Sequence, residues 1–249
     1  MKKLKSKLQR YSSFISYYIN KGRFKEIYFI TILLSIYGAL LGRGNIDTID
    51  GILNVLSFPT FLLIFFVLLI VNIISFNKLL DKVSYFQEIR MKNKCNIIVF
   101  RIKETILVTL FYLFLTFILI YSFIYLGHLG YINNTQYGNY NISKVLFLIY
   151  FTIRLTIISC AICTFNTILY GKLKYKVFIF DFIFLAGLYL DIFNTNMGVS
   201  LNIYYILGLM PFNSFNYDLI SSVIFILLLI LINYISMKII TRRKKWNQL

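Results

Sequence analysis

Cys160 and Cys163 stand as C-A-I-C, a spacing at which two thiols can carry redox chemistry or help hold a metal. Redox work needs an exposed thiol of lowered pKa, and a structural zinc site needs four ligands. Here the pair sits about 10–15 Å, by helical rise, inside the end of a long apolar run, and the one histidine, His128, falls in a distant loop. Small residues packing within a helix are the simpler reading. The only Gly–Lys, Gly171–Lys172, is followed by Leu173 and lacks the upstream glycine of a phosphate-binding loop. There is no H-E-x-x-H, and no serine has a histidine or a carboxylate beside it in sequence. The expectation is a protein with no catalytic residues, no metal and no directly bound cofactor, drawing energy from a partner or a gradient.

Three charges are harder to dismiss. Arg154, Asp181 and Asp191 lie within apolar runs. Each costs about 2.5–3.5 kcal/mol at the centre of a membrane helix on the insertion scale, so each should be partnered or functional. Residues 171–176, GKLKYK, join two of these runs into a hairpin. Arg154 lies 16 residues before Tyr170 and Asp191 lies 15 after Lys176. In an antiparallel hairpin the two come level, and an Arg154–Asp191 pair near the outer interface is expected. Counted the same way, the intramembrane acid Asp181 comes level with Asn166 near the inner surface. A structural clamp, with Arg154 reaching outward, is weighed against contact with a substrate.

The elements that must position these residues follow from composition. Of 249 residues, 59% are hydrophobic and 14% charged, against about 25% charged in soluble domains. Apolar segments of some 20 residues cross a hydrocarbon core of roughly 30 Å as helices. Six spans are expected: 27–42, 52–76, 105–127, 145–170, 177–193 and 219–240, with Pro59 a tolerable kink in the second. The fold class is therefore all-α, one polytopic membrane domain over 1–249. The net charge of +17 would suit a nucleic-acid binder, but its placement does not. All of the 26 Lys and Arg except Arg43, Lys144 and Arg154 fall in the N-terminal 25 residues, the connectors 77–104 and 171–176, or the C-terminal tail from Lys238. That is the positive-inside pattern, with both termini cytoplasmic and the lipid bilayer rather than nucleic acid as the partner.

Residues 1–25 carry an apolar stripe, Leu4, Leu8, Tyr11, Ile15 and Tyr18, on a basic background, as expected of an amphipathic helix on the anionic inner leaflet. In the third outer gap, 203–210 is apolar but about 12 Å long as a helix, too short to cross, and reads as re-entrant or interfacial. The cytoplasmic connector 77–104 is long for a helix hairpin. Within it Tyr85, Phe86, Ile89 and Lys92 share one face of a short helix, with Glu88 and Arg90 off that face. Such a face suits either interfacial anchoring or docking into a groove of a cytoplasmic partner.

In these features the chain resembles an ABC-2 type transporter permease subunit, of the small kind associated with peptide, bacteriocin-immunity or drug export. The resemblance rests on the basic lead-in helix, the six spans with both ends inside, the long connector containing EIRMKNKCNIIVFRIKE (88–104), and the broken apolar region 190–211 before the last span. It implies a coupling helix at 85–94, with Tyr85, Phe86, Glu88, Ile89, Arg90, Lys92 and Lys94 docking a cytoplasmic ABC ATPase subunit. It further implies ATP-Mg bound on that subunit and a second permease subunit, same or related. The function expected is a permease of an ATP-driven exporter of a peptide or amphipathic compound in a bacterial plasma membrane. The alternative is a non-transporting immunity or sensor protein that binds its target directly. A membrane-embedded protease is disfavoured by the missing His and acid clusters.

Overall fold

The computed structural model describes residues 24–42, 48–90, 94–128, 142–196 and 215–243. These form seven α-helices: α1 Phe24–Gly42, α2 Thr48–Ser57, α3 Pro59–Arg90, α4 Lys94–His128, α5 Lys144–Leu173, α6 Phe178–Asn196 and α7 Phe215–Arg243. A 3-10 turn, Lys174–Val177, joins α5 to α6, and no strand occurs among the described residues. Helices long and apolar enough to cross a membrane lie at Thr60–Asp81, Ile97–Leu126, Lys144–Gly171 and Asp218–Ile240. α1 and α6, at the places of the first and fifth expected spans, have 19 residues each, and the apolar stretch of α6 is the shorter Phe178–Leu190.

The second expected span is not one kinked helix. It divides at Phe58 into α2 and α3. Proline lacks the N–H a helix interior requires and disfavours helical geometry at the residue before it. Phe58 is that residue: its N–H donates to Val55 O at 3.2 Å, closing α2, and its carbonyl accepts from Leu62 N at 3.1 Å, opening α3. Pro59 then occupies the first position of α3, where its missing N–H costs nothing. Glycine takes part in the same junction. A Cβ on Gly38 of α1 would come within 2.8 Å of Val55 and 3.0 Å of Phe61, so α1 lies close against the α2–α3 break because residue 38 has no side chain.

α3 and α5 form the centre. Phe61, Leu62, Phe66, Leu69, Ile73 and Phe76 of α3 are buried, as are Phe147, Phe151, Leu155 and Ile158 of α5. An aromatic chain links α3 to α4, with Phe65 5.4 Å from Phe66 and 5.9 Å from Tyr112 between ring centres. Phe66 meets Phe184 of α6 edge-on at 5.7 Å. α7 packs against α5 and leaves most of its apolar surface outward.

Polar groups of the bundle are buried beside its apolar core, and its exterior is apolar. Its interior holds Thr31, Asn77, Thr105, Thr116, Arg154, Asn166, Asp181 and Asp218, all buried. Its exterior carries Phe29, Phe114, Leu126, Leu146, Phe182 and Leu227, all more than half exposed. Thr31, Ser35, Thr116, Thr152, Thr156 and Thr167 return their hydroxyls to the carbonyl four residues earlier, which satisfies them without water.

The connector also differs from expectation. α3 continues without interruption to Arg90, and α4 begins at Lys94. Residues 85–90 are therefore the end of a 32-residue helix rather than a separate short one. Nothing between Thr60 and Arg90 is Gly or Pro, so no residue in the stretch stops the helix at the end of its apolar part.

Candidate functional site

Two buried polar clusters lie in the bundle, one toward each end of α5. The one nearer the N-terminal end of α5 is built on Arg154. Its side chain is 2% exposed, and Nη1 donates to Asp218 Oδ1 at 2.7 Å and to Ser222 Oγ at 3.1 Å. The hydroxyl of Tyr150 donates to the same Ser222 Oγ at 3.2 Å. The guanidinium lies 5.4 Å from the Tyr150 ring centre and 5.1 Å from that of Phe151, within cation–π range. Tyr150 also meets Phe215 edge-on at 5.2 Å. Helical spacing explains the grouping. Tyr150 and Arg154 are one turn apart on α5, and Asp218 and Ser222 one turn apart on α7, so two adjacent turns meet two. Further along, Asn233 Nδ2 donates to Ala161 O at 2.9 Å. These four hydrogen bonds pin α7 to α5 at two levels.

Arg154 thus finds its acid on α7. The expected partner, Asp191, has its backbone in α6, and its side chain lies outside the described residues. Asp218 falls in the first turn of α7, one residue before the apolar run 219–240. Counting spans by apolar content places it in a loop, which is why the sequence does not offer it as a partner. A helical period carried back from Ser222 would have recovered it.

The second cluster, nearer the C-terminal end of α5, joins four helices. Asn77 Nδ2 on α3 donates to Thr167 Oγ1 on α5 at 3.2 Å, and Thr167 and Thr105 of α4 share a hydroxyl hydrogen bond of 2.8 Å. Asn166, the next residue on α5, turns to α6, where its Nδ2 donates to Asp181 Oδ1 at 2.5 Å. This is the level at which the hairpin count sets Asp181 beside Asn166. Just beyond, Arg101 of α4 pairs with Asp81 of α3 at 2.8 Å, so the two helices are tied together where they leave the apolar part. At the opposite end Lys144, the first residue of α5, pairs with Asp50 in the first turn of α2.

Cys163 is buried and Cys160 partly so. Among the described residues no group of three or more His, Cys, Asp or Glu is placed to hold a metal. For the expected docking segment, α3 supplies the backbone of Tyr85, Phe86, Glu88, Ile89 and Arg90, and α4 that of Lys94. Their side chains, and Lys92 entirely, lie outside the described residues. So do the lead-in residues 1–23, the apolar segment 203–210, and all but the ends of the outer loop 128–144.

Comparison with protein-family models, curated proteins and solved structures finds no match for this chain.

Proposed function

We infer that the chain is a multi-pass membrane protein, the permease subunit of an ATP-driven exporter of the ABC-2 kind, moving a peptide or amphipathic compound out of a bacterial cell. Residence in lipid is supported by the apolar exterior of the bundle and by the polar and charged groups that are buried within it. In water, the exposed Phe, Ile and Leu of α4, α6 and α7 would form an apolar patch far larger than soluble proteins carry, whereas in lipid only the buried polar groups need partners.

The observation that carries the transport reading is the unbroken length of α3. Thirty-two residues span about 48 Å, some 18 Å more than a hydrocarbon core. The excess is at the Lys/Arg-rich end, where the aromatic–aliphatic set Tyr85, Phe86 and Ile89 lies. The other end of the same rod is the bundle's core, from Phe61 to Phe76. A force applied at 85–90 by a partner is therefore delivered to the centre of the bundle without a joint to absorb it. The Arg101–Asp81 pair makes α4 move with α3. In this reading ATP-Mg is bound and hydrolysed on a separate cytoplasmic subunit, both termini face that subunit, and a second permease subunit completes the path. α7, held to α5 by the Arg154–Asp218–Ser222 pin, is the peripheral element.

The test is purification of the full chain from its native membrane in mild detergent, with mass-spectrometric identification of what accompanies it. An ABC ATPase should co-purify, and should be lost from Phe86→Asp and Ile89→Asp while the variants still insert. Co-purification unchanged by both substitutions refutes the docking role. Protection of cells with no ATPase partner would replace the exporter with an immunity protein that binds its target directly.

A further inference from the structure

The cluster nearer the C-terminal end of α5 contains a pair that its visible hydrogen bonds leave incomplete. Asp181 is 4% exposed and Asn166 3%. They share the single bond from Asn166 Nδ2 to Asp181 Oδ1. Asp181 Oδ2 and Asn166 Oδ1 are both buried and have no hydrogen-bond partner. Two bare acceptor oxygens on two residues already in contact are unfavourable together, since neither can donate to the other. A single hydrogen resolves both. In a carboxyl–carboxamide pair joined by one N–H···O bond, a proton on the free acid oxygen can donate to the free amide oxygen and close a two-bond ring.

We propose that Asp181 and Asn166 form a proton-binding site between α5 and α6, with Asp181 held as the neutral acid and its Oδ2–H donated to Asn166 Oδ1. The proton comes from water as the hairpin assembles. The charges nearby do not favour a carboxylate instead. α5 brings Cys163 and Cys160, neither a cation. α3 brings Lys78 and Asp81 near its inner end, where Lys78 is exposed and Asp81 is engaged by Arg101. The connecting turn brings Lys174 and Lys176, both exposed. Among the described residues no Lys or Arg forms an ion pair with Asp181. Its place in the first turn of α6 lends some dipole stabilisation to an anion, but that effect is smaller than the cost of an unpaired buried carboxylate. The inference rests on this pair alone and is independent of the exporter reading.

The second bond of the pair exists only while the proton is bound, so the site predicts a definite pH behaviour. An acid kept protonated by folding binds more protons folded than unfolded. Stability then falls as pH rises from about 4, the unfolded carboxyl value, until the folded site releases its proton.

The test uses the full chain in lipid nanodiscs. Infrared spectra of the wild type minus Asp181→Asn at neutral pH should show a protonated-carboxyl C=O band that shifts in heavy water. Asn166→Leu should move that band to higher frequency, and Glu104→Gln, which removes another buried carboxyl, should leave it in place. Because an amide at 181 can form the same two bonds, Asp181→Asn should melt within about 3 °C of wild type and lose the wild type's decline with pH. Should Asp181→Asn not assemble, the wild-type band and its response to Asn166→Leu decide the matter. Absence of the band overturns the proposal. So does its disappearance on adding sodium or potassium chloride, which would make this a metal-cation site.

Discussion

Replacing Asp218 by Asn isolates the pin between α5 and α7 at Arg154. The substitution keeps the side chain's shape and removes the charge facing Arg154, whose guanidinium is left buried among Tyr150, Phe151 and Ser222. Both side chains of the pair are 3% exposed or less, so solvent does not screen the loss. Removing one partner of a buried ion pair costs about 3–5 kcal/mol. For a chain of this size about 1 kcal/mol corresponds to roughly 2–4 °C, so the midpoint should fall by about 6–20 °C. Ser222→Ala removes two neutral-acceptor contacts and leaves the ion pair, and should cost about 1–3 kcal/mol. The assay is thermal unfolding in detergent followed by the monodisperse peak in size exclusion, with Asp191→Asn as the parallel variant. The reasoning is refuted if Asp218→Asn shifts the midpoint by under about 3 °C while Asp191→Asn produces the large drop. Arg154 would then pair as the hairpin count expects. Exchanging the two residues, Arg154→Asp with Asp218→Arg, should recover part of the loss of either single change.

Other outcomes follow from local geometry. Gly38→Val should loosen α1 at the α2–α3 junction and cost about 1–3 kcal/mol through overpacking, whereas Gly187→Ala, which meets open space, should be neutral or stabilising by up to about 1 kcal/mol; thermal midpoints distinguish the two. Thr167→Val removes the hydroxyl shared by Asn77 and Thr105 and should lower stability by about 1–3 kcal/mol, with Thr105→Val largely non-additive because it breaks the same network. A membrane-permeant maleimide should label Cys160 slowly and Cys163 only on unfolding, since the latter is 1% exposed; rapid labelling of Cys163 in the native protein would contradict the packing of α5 against α4.

Much of the architecture was readable from composition. Long apolar runs must become helices because lipid offers no partner for a bare backbone, and those that became α3, α4, α5 and α7 lie where hydropathy sets them. That Asp181 comes level with Asn166 was readable too, since a short hairpin turn fixes the register of its two helices by counting. Arg154 was identifiable as a residue that needs a partner, because an intramembrane guanidinium is costly alone.

What counting could not supply was which neighbour meets which. Asp218 looked like loop because apolar content begins one residue later, yet helical geometry begins earlier and carries it to Arg154 through a contact between helices remote in sequence. Pro59 looked like a kink within one span, but the packing of Gly38 against Val55 and Phe61 accommodates a full break there. The segment 85–90 looked like an independent helix because polarity changes, whereas helix continuity depends on backbone hydrogen bonds that polarity does not interrupt. The sequence by itself determined which segments are helical, which end is basic and which charges require partners, since those follow from local composition and solvent. Tertiary structure alone decided that α7 supplies the partner for Arg154, because that depends on how helices distant along the chain are brought side by side.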